Sequence, residues 1–243
     1  MINNVFRYPD TNSSRAKIEL LNEKFVGLKI GIIGVGGTGA YTLDLIAKTP
    51  VSQIHLYDGD IFQLHNAFRA PGATPSAKFE CDGDLYKVDY YYQIYNEMHS
   101  GIFPHQQYIT LENISELGTL DFIFLSVDRN SVRYEITNKL LSMGIPFIDV
   151  GLGVNALENE LIATLRATLV TEQKSDHLQN RIGPEEATEN EYKTNIQIAD
   201  LNCLNAALAV VTWKRYVGFY QDLKKTHNSL YFINTGKLLN EDT

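Results

Sequence analysis

Hydrophobic positions along this chain fall into three periodicities. Near-continuous apolar runs at Lys29–Ile33, 52–57, 121–128 and 146–150 predict strands buried on both faces, as in a parallel sheet. Helical spacing marks 12–26, 41–48, 87–98, 130–143 and 198–216. In the first of these, Asn12, Ser13 or Ser14 is the cap, Ile18, Leu21 and Phe25 form the stripe, and Gly27 is the stop. In 87–98 the stripe is Val88, Tyr91, Ile94, Tyr95 and Met98, so the five tyrosines from Tyr86 to Tyr95 read as a half-buried helix face. In 198–216, Ala206 and Ala207 allow close packing. A period of two runs through Glu160–Val170, while 107–110 reads as an edge strand and 229–234 as a last one. Gly151-Leu152-Gly153 is expected to end the strand before it. Stretches 74–84 and 171–194 lack periodicity and read as loops, the second long enough to be functional.

The order implies an α/β, Rossmann-like doubly wound sheet, parallel in the N-terminal half with antiparallel strands added in the C-terminal half. No linker or repeat divides it. Residues 1–243 are expected to form a single domain, with a nucleotide-binding half at about 28–150 and a crossover-type loop at about 171–195.

Between the first strand and the first long helix stands Gly34-Val35-Gly36-Gly37-Thr38-Gly39, a G-x-G-x-x-G turn. The first glycine permits the turn, the second lets phosphate approach the backbone, and the third lets helix pack on strand. The helix N-terminus then faces the anion. Asp58, about 20 residues on, has the spacing of a ribose-binding carboxylate, and Asp60 follows it. An adenylating enzyme and a NAD-dependent oxidoreductase share these features.

Charge and cysteine content narrow the classes. A formal net charge of −8 argues against nucleic acid as a partner. Two cysteines, Cys81 and Cys203, cannot build a four-thiolate zinc site. No basic leader precedes an apolar core, and no apolar run approaches about 18 residues, so neither export nor a membrane span is expected and the protein reads as cytoplasmic.

The polar residues at predicted strand ends come in a fixed order: glycine turn, Asp58, Asn66, Arg69, Lys87, Asp128. In this the chain resembles the ThiF/MoeB/HesA adenylating family, which includes the nucleotide-binding halves of ubiquitin-activating enzymes, over roughly residues 12–218. The resemblance implies ATP and Mg²⁺, with no zinc. It implies nucleotide contacts from Gly34, Gly36, Gly37, Gly39, Asp58 and Asp60, with Asp58 on the ribose. Asn66, Arg69 and Lys87 would hold the phosphates, Asp128 the metal, and Arg15 would reach the partner subunit's site in a homodimer. Lys78 competes with Lys87 for its role.

The implied reaction is adenylation of the C-terminal carboxylate of a small β-grasp protein, ubiquitin-like or sulfur-carrier, or else of a small-molecule carboxylate. Ala70 stands where the family often has glutamine, and the zinc cysteines are missing. The loop at 171–194 has no cysteine to accept a thioester, Cys203 reads as a buried structural thiol, and Cys81 lies in a loop. The chain is therefore expected to stop at the adenylate or to pass the acyl group to a cysteine on another protein, such as a separate cysteine-bearing carrier enzyme. Residues 65–73 and 195–202 are similar to the stand-alone bacterial branch found beside ubiquitin-like proteins, which implies an antiviral defence setting.

Overall fold

The computed structural model describes residues 5–80, 83–182 and 196–243. An eight-stranded sheet, ordered β3-β2-β1-β4-β5-β6-β7-β8, is the frame. Its parallel half is β1 (Lys29–Ile33), β2 (Gln53–Tyr57), β3 (Ile102–His105) and β4 (Phe122–Leu125), joined by β5 (Phe147–Leu157). β6 (Glu160–Val170), β7 (Asn228–Phe232) and β8 (Lys237–Glu241) then add antiparallel. The helices are α1 (Thr11–Ala16), α2 (Glu19–Asn22), α3 (Gly37–Ile46), α4 (Leu64–Ala67), α5 (Lys87–Tyr95), α6 (Asn130–Ser142), α7 (Leu178–Arg181) and α8 (Ala199–Tyr216). The fold class expected from the sequence is the one observed.

Strand alternation divides the core between the two faces. Ile30, Ile32, Ile54, Leu56 and Phe124 pack with Leu43, Ile46 and Trp213, that is, against α3 and α8. Ile33, Ile123, Leu125 and Phe147 pack with Ile136 and Leu140 of α6. Each such fully buried side chain contributes roughly 2 kcal/mol of transfer free energy. The parallel strands are thereby pinned in register, and their carboxyl ends open on one edge.

Several local expectations need correction. The single helix over 12–26 is broken: Asp10 caps α1 by accepting from the Ser13 N–H at 3.0 Å, and Lys17 turns left-handed at φ 57° before α2 begins. Leu21 is consequently exposed, and only Phe25 of the stripe is fully buried, stacked on Trp213. In α5 the buried tyrosines are Tyr90, Tyr91 and Tyr95, and Ile94 faces solvent. The edge strand lies at Ile102–His105 instead of 107–110; Pro104 is tolerated there because no described strand lies beyond β3. β5 does not stop at Gly151-Leu152-Gly153, because β6 pairs with it along its whole length. α7 forms inside the expected long loop, of which 183–195 fall outside the described residues, as does Cys81. No described helix is long and apolar enough to cross a membrane.

Candidate functional site

At the carboxyl ends of β1, β2, β4 and β5 lies a cavity of about 770 Å³. The glycine turn forms its floor. Gly34 leaves β1 at φ +84°, donating its N–H to Tyr57 O at 2.8 Å, and a Cβ on it would stand 2.6 Å from Ser126 O. Gly39 approaches so closely that its Cβ would lie 1.8 Å from Gly34 O. α3 then starts with no side chain capping it, so its first N–H groups are left for a ligand.

Beneath the turn, Asp58 is buried and works on the backbone. Its Oδ2 accepts the Val35 N–H at 2.9 Å and its Oδ1 the Asp60 N–H at 2.8 Å. Burial pushes its carboxyl above the usual range, although Lys87, with Nζ 3.9 Å from Oδ1, and these backbone bonds oppose the shift. Lys87, buried at the start of α5, also pairs with Asp60 Oδ2 at 2.5 Å. Tyr108 donates its hydroxyl to the other Asp60 oxygen. Burial acts to raise Asp60, but the Lys87 and Tyr108 hydrogen bonds outweigh it and hold the carboxyl low. The same bond to Asp60 pushes the Tyr108 hydroxyl up to about 12.

Asn66 is buried in α4, where its Oδ1 accepts the Gln63 N–H at 2.7 Å in a capping box. It borders a small second cavity shared with Gly36, Arg69 and Lys87. Arg69 lines both cavities, and its buried Nε has no hydrogen-bond partner. A buried guanidinium nitrogen left unpaired is costly, and an anion would satisfy it. Asp128, exposed just past β4, lines the main cavity together with Arg129 and Asn130. Lys78 is exposed and spends its ammonium on Gln93 Oε1 at 2.7 Å, while Lys87 lines the cavity. Arg15 is exposed on α1 and is not among the lining residues.

Some of the lining carried no motif. Tyr57, Tyr108, Ile109 and Thr110 form the β2–β3 end, where the sequence suggested an edge strand. Val150, Leu152, Gln197 and Asn205 form the β5–α8 end. Asn205 donates to Gly151 O at 3.0 Å. Cys203 corrects another expectation: it is exposed, because α8 buries the face carrying Leu201, Asn202, Asn205, Ala206 and Ala209, and position 203 falls outside it. It does not line the cavity.

Among the described residues, no three histidine, cysteine or acidic side chains converge to cage a metal. The donor set fits Mg²⁺ arriving on a nucleotide, because that ion keeps waters and phosphate oxygens and needs only one or two carboxylates.

The ThiF family model matches residues 14–197. A comparison with curated proteins finds no match. Among solved structures, E. coli MccB with MccA-N7isoASN is similar at a TM-score of 0.71 and 18% identity, over 99% of this chain and 73% of that one. E. coli MccB with ATP gives 0.71 and 18%, over 97% and 72%. PaaA gives 0.70 and 14%, over 100% and 76%. At these identities the structural likeness is one of fold. The family match spans most of the sequence and sets aside the oxidoreductase reading that the glycine turn alone left open. The chain belongs to the ThiF family and is an adenylating enzyme.

Proposed function

We propose that the protein uses ATP to adenylate the C-terminal carboxylate of a small protein or peptide. The observation that carries this reading is the meeting, on one cavity, of an uncapped α3 N-terminus, the unpaired Arg69 Nε, Lys87 and Asp128. A cavity of this kind suits a triphosphate held by backbone N–H groups and cations, with a carboxylate left over for a hard cation.

In this reading the triphosphate lies on the first turn of α3, with Arg69 and Lys87 drawing off its charge and Asn66 beside them. Asp58 and Asp60 stand at the ribose; Asp58 has acceptor capacity left after its two backbone bonds. The base lies against Tyr57, Tyr108, Ile109, Val127 and Val132, the apolar and aromatic part of the lining near the β2 and β4 ends. The acyl substrate enters from the β5–α8 end. One carboxylate oxygen attacks the α-phosphorus, forming the acyl–O–P bond as the bond to the β-phosphate oxygen breaks. Pyrophosphate leaves with that electron pair. Positioning two anions in line is the main task, and Arg69 and Lys87 offset the charge gathering on the leaving group. Asp128 would hold Mg²⁺, which supplies further neutralisation of the phosphates.

Residues 1–243 act as a single adenylation unit in this reading, working in the cytoplasm as a homodimer in which Arg15 serves the second copy's site. With Cys203 away from the cavity, the acyl group passes to a thiol on a separate carrier enzyme. The acyl donor is a β-grasp protein of ubiquitin-like or sulfur-carrier type, in an antiviral conjugation setting. A peptide C-terminus is the other form of the same carboxylate, and the fold neighbour E. coli MccB is crystallised with MccA-N7isoASN.

ATP–pyrophosphate exchange with purified candidate proteins and peptides tests this. Exchange is expected with a free C-terminus and not with its C-terminal amide, and Asp128→Ala should abolish it. Exchange that ignores amidation would overturn the assigned carboxylate; full exchange in Asp128→Ala would overturn the metal role.

A further inference from the structure

Behind the cavity wall at β4 and β5 lies a charged group that the proposed reaction does not use. Asp149, on β5, is fully buried. Arg166 Nη2, from β6, lies 2.5 Å from its Oδ2, and Arg133 Nε, from α6, lies 3.2 Å from its Oδ1. The second approach is electrostatic only, because Oδ1 has no hydrogen-bond partner. Arg133 spends its hydrogen bonds elsewhere: Nε donates to Val127 O at 3.1 Å, and Nη2 donates to the same carbonyl. Val127 directly precedes Asp128. Arg166 is fixed in turn, with Nη1 donating to Thr168 Oγ1 at 3.0 Å and to Arg181 O at 3.2 Å.

Stability does not explain such a group. Removing three charges from water costs several kcal/mol per ion, and apolar residues of similar volume often replace a buried ionic triad at no loss. An apolar trio could not, however, grip a main-chain oxygen. A guanidinium presents two N–H groups along one edge and can seize a single carbonyl with both, which an ammonium on a flexible stem does not reproduce. Arg133 itself lines the cavity, so the clamp sits directly against the loop that carries Asp128.

We propose that Arg133 is a positioning residue: by fixing the Val127 carbonyl it sets the direction in which Asp128 presents its carboxylate to a divalent cation on the nucleotide, while Asp149 and Arg166 hold Arg133 in place. The inference rests on the reading of Asp128 as the carboxylate that meets the cation. Val127 and Asp128 sit on a short segment between β4 and α6, where one rigid anchor decides where the side chain points.

The test is binding, not turnover. Affinity for a non-hydrolysable ATP analogue is measured in EDTA and again with Mn²⁺, for the parent, Arg133→Lys, Asp128→Ala and the double variant. Arg133→Lys is expected to bind in EDTA within about twofold of the parent, while the gain on adding Mn²⁺ falls by roughly 10-fold or more, the scale seen when a metal ligand loses its outer support. In the Asp128→Ala background it should cost nothing further. Arg166→Lys, one step farther back, should show the same selective loss at smaller size, and it keeps the test open if Arg133→Lys does not fold.

A full Mn²⁺ gain in Arg133→Lys, or in Arg166→Lys if that is the variant that folds, overturns the positioning role. So does an equal loss with and without metal, accompanied by a lower Tm, which marks a purely structural part. Losses that add in the double variant would also overturn it. An Asp128→Ala chain that keeps the Mn²⁺ gain overturns the metal reading of Asp128 itself, and is thereby distinguished from failure of the clamp.

Discussion

Replacing Lys87 by methionine would expose the electrostatics beneath the glycine turn. Lys87 Nζ faces two carboxylates, Asp60 at 2.5 Å and Asp58 at 3.9 Å. The Asp60 side chain is 50% exposed, so that pair is screened and contributes at most about 1 kcal/mol. Asp58 is another matter, being buried with Lys87 as its cation. Breaking a buried pair by removing one partner costs about 3–5 kcal/mol. The backbone bonds from Val35 and Asp60 survive the substitution, which puts the cost at the low end, about 3 kcal/mol at neutral pH, or roughly 6–12 °C in Tm for a chain of this size.

The pH dependence supplies the sharper signature. Burial already raises the Asp58 carboxyl above 3.8 with Lys87 present, and Lys87 is the largest influence opposing it. A raised carboxyl means that the folded state binds its proton more tightly than the unfolded chain. Stability from this group is therefore greatest below about 3.8 and falls as pH rises through the folded pKa. Without Lys87 that pKa moves higher still, so the deficit of Lys87→Met should be small in acid and open toward neutrality. Thermal melts followed by circular dichroism from pH 5 to 8 measure it. Lys87→Met/Asp58→Asn removes the stranded charge but sets an amide NH2 against one of the two backbone N–H groups that Asp58 accepts, so it should recover only part of the loss while abolishing its growth toward neutral pH. An equal deficit at every pH in Lys87→Met, or a deficit that still grows toward neutrality in the double variant, would refute the reasoning.

Three further outcomes are expected. Arg69→Ala should lower ATP–pyrophosphate exchange by roughly 10²–10³-fold, the scale of removing one preorganised donor, with little change in Tm because its Nε bonds nothing in the fold; Arg69→Lys should rescue little, and full rescue by lysine would show that only a point charge is needed. Gly39→Ala should cost more than about 3 kcal/mol, seen as loss of soluble folded protein or a deep fall in Tm, since its Cβ would collide with the Gly34 carbonyl at 1.8 Å. His55, half-buried 3.0 Å from His105, is lowered to about 4 by burial and by that neighbour. The folded state then binds fewer protons than the unfolded chain between pH 6.5 and about 4, so stability falls as pH drops through that window, by on the order of 2 kcal/mol after allowance for the half-exposed ring; His55→Gln should flatten that slope in urea titrations, and an unchanged slope would count against it.

What the sequence revealed depended on how local the cause was. β1 and β6 were legible to the residue because their patterns are set by the faces they bury. The glycine turn was legible because what demands it is largely local: Gly34 takes a positive φ of 84°, and Gly39 lies against the Gly34 carbonyl five residues back, even though Ser126 also closes on Gly34 from afar. The N-terminal helix misled because an apolar spacing says nothing of the left-handed turn at Lys17. β8 went unseen because an edge strand needs neither alternation nor bulk, and β5 ran past its glycines because the pairing partner, β6, decides its length. Of the cavity, the residues at strand ends were found by their order along the chain. Arg133 and Asn205 were not: each is one polar side chain on a helix, and nothing short of the packing distinguishes it from a surface residue. Cys203 was misjudged because three flanking leucines suggested burial, whereas helical phase alone decides it, and Leu204 shares its exposure.

Asn202, fully buried at the start of α8, presses its amide onto the glycine turn, accepting from Thr38 Oγ1 at 3.1 Å, and a Cβ at Gly37 would fall 2.0 Å from its Nδ2. Glycine at 37 is thus demanded by a side chain from the far end of the sequence and not by its own backbone angles. The two positions form an epistatic pair. Alanine at 37 is barred while asparagine stands at 202, and becomes admissible once 202 shrinks to alanine or glycine. A lineage can cross from one combination to the other only through a strained intermediate, or by changing 202 first and for a time leaving the glycine turn without its support.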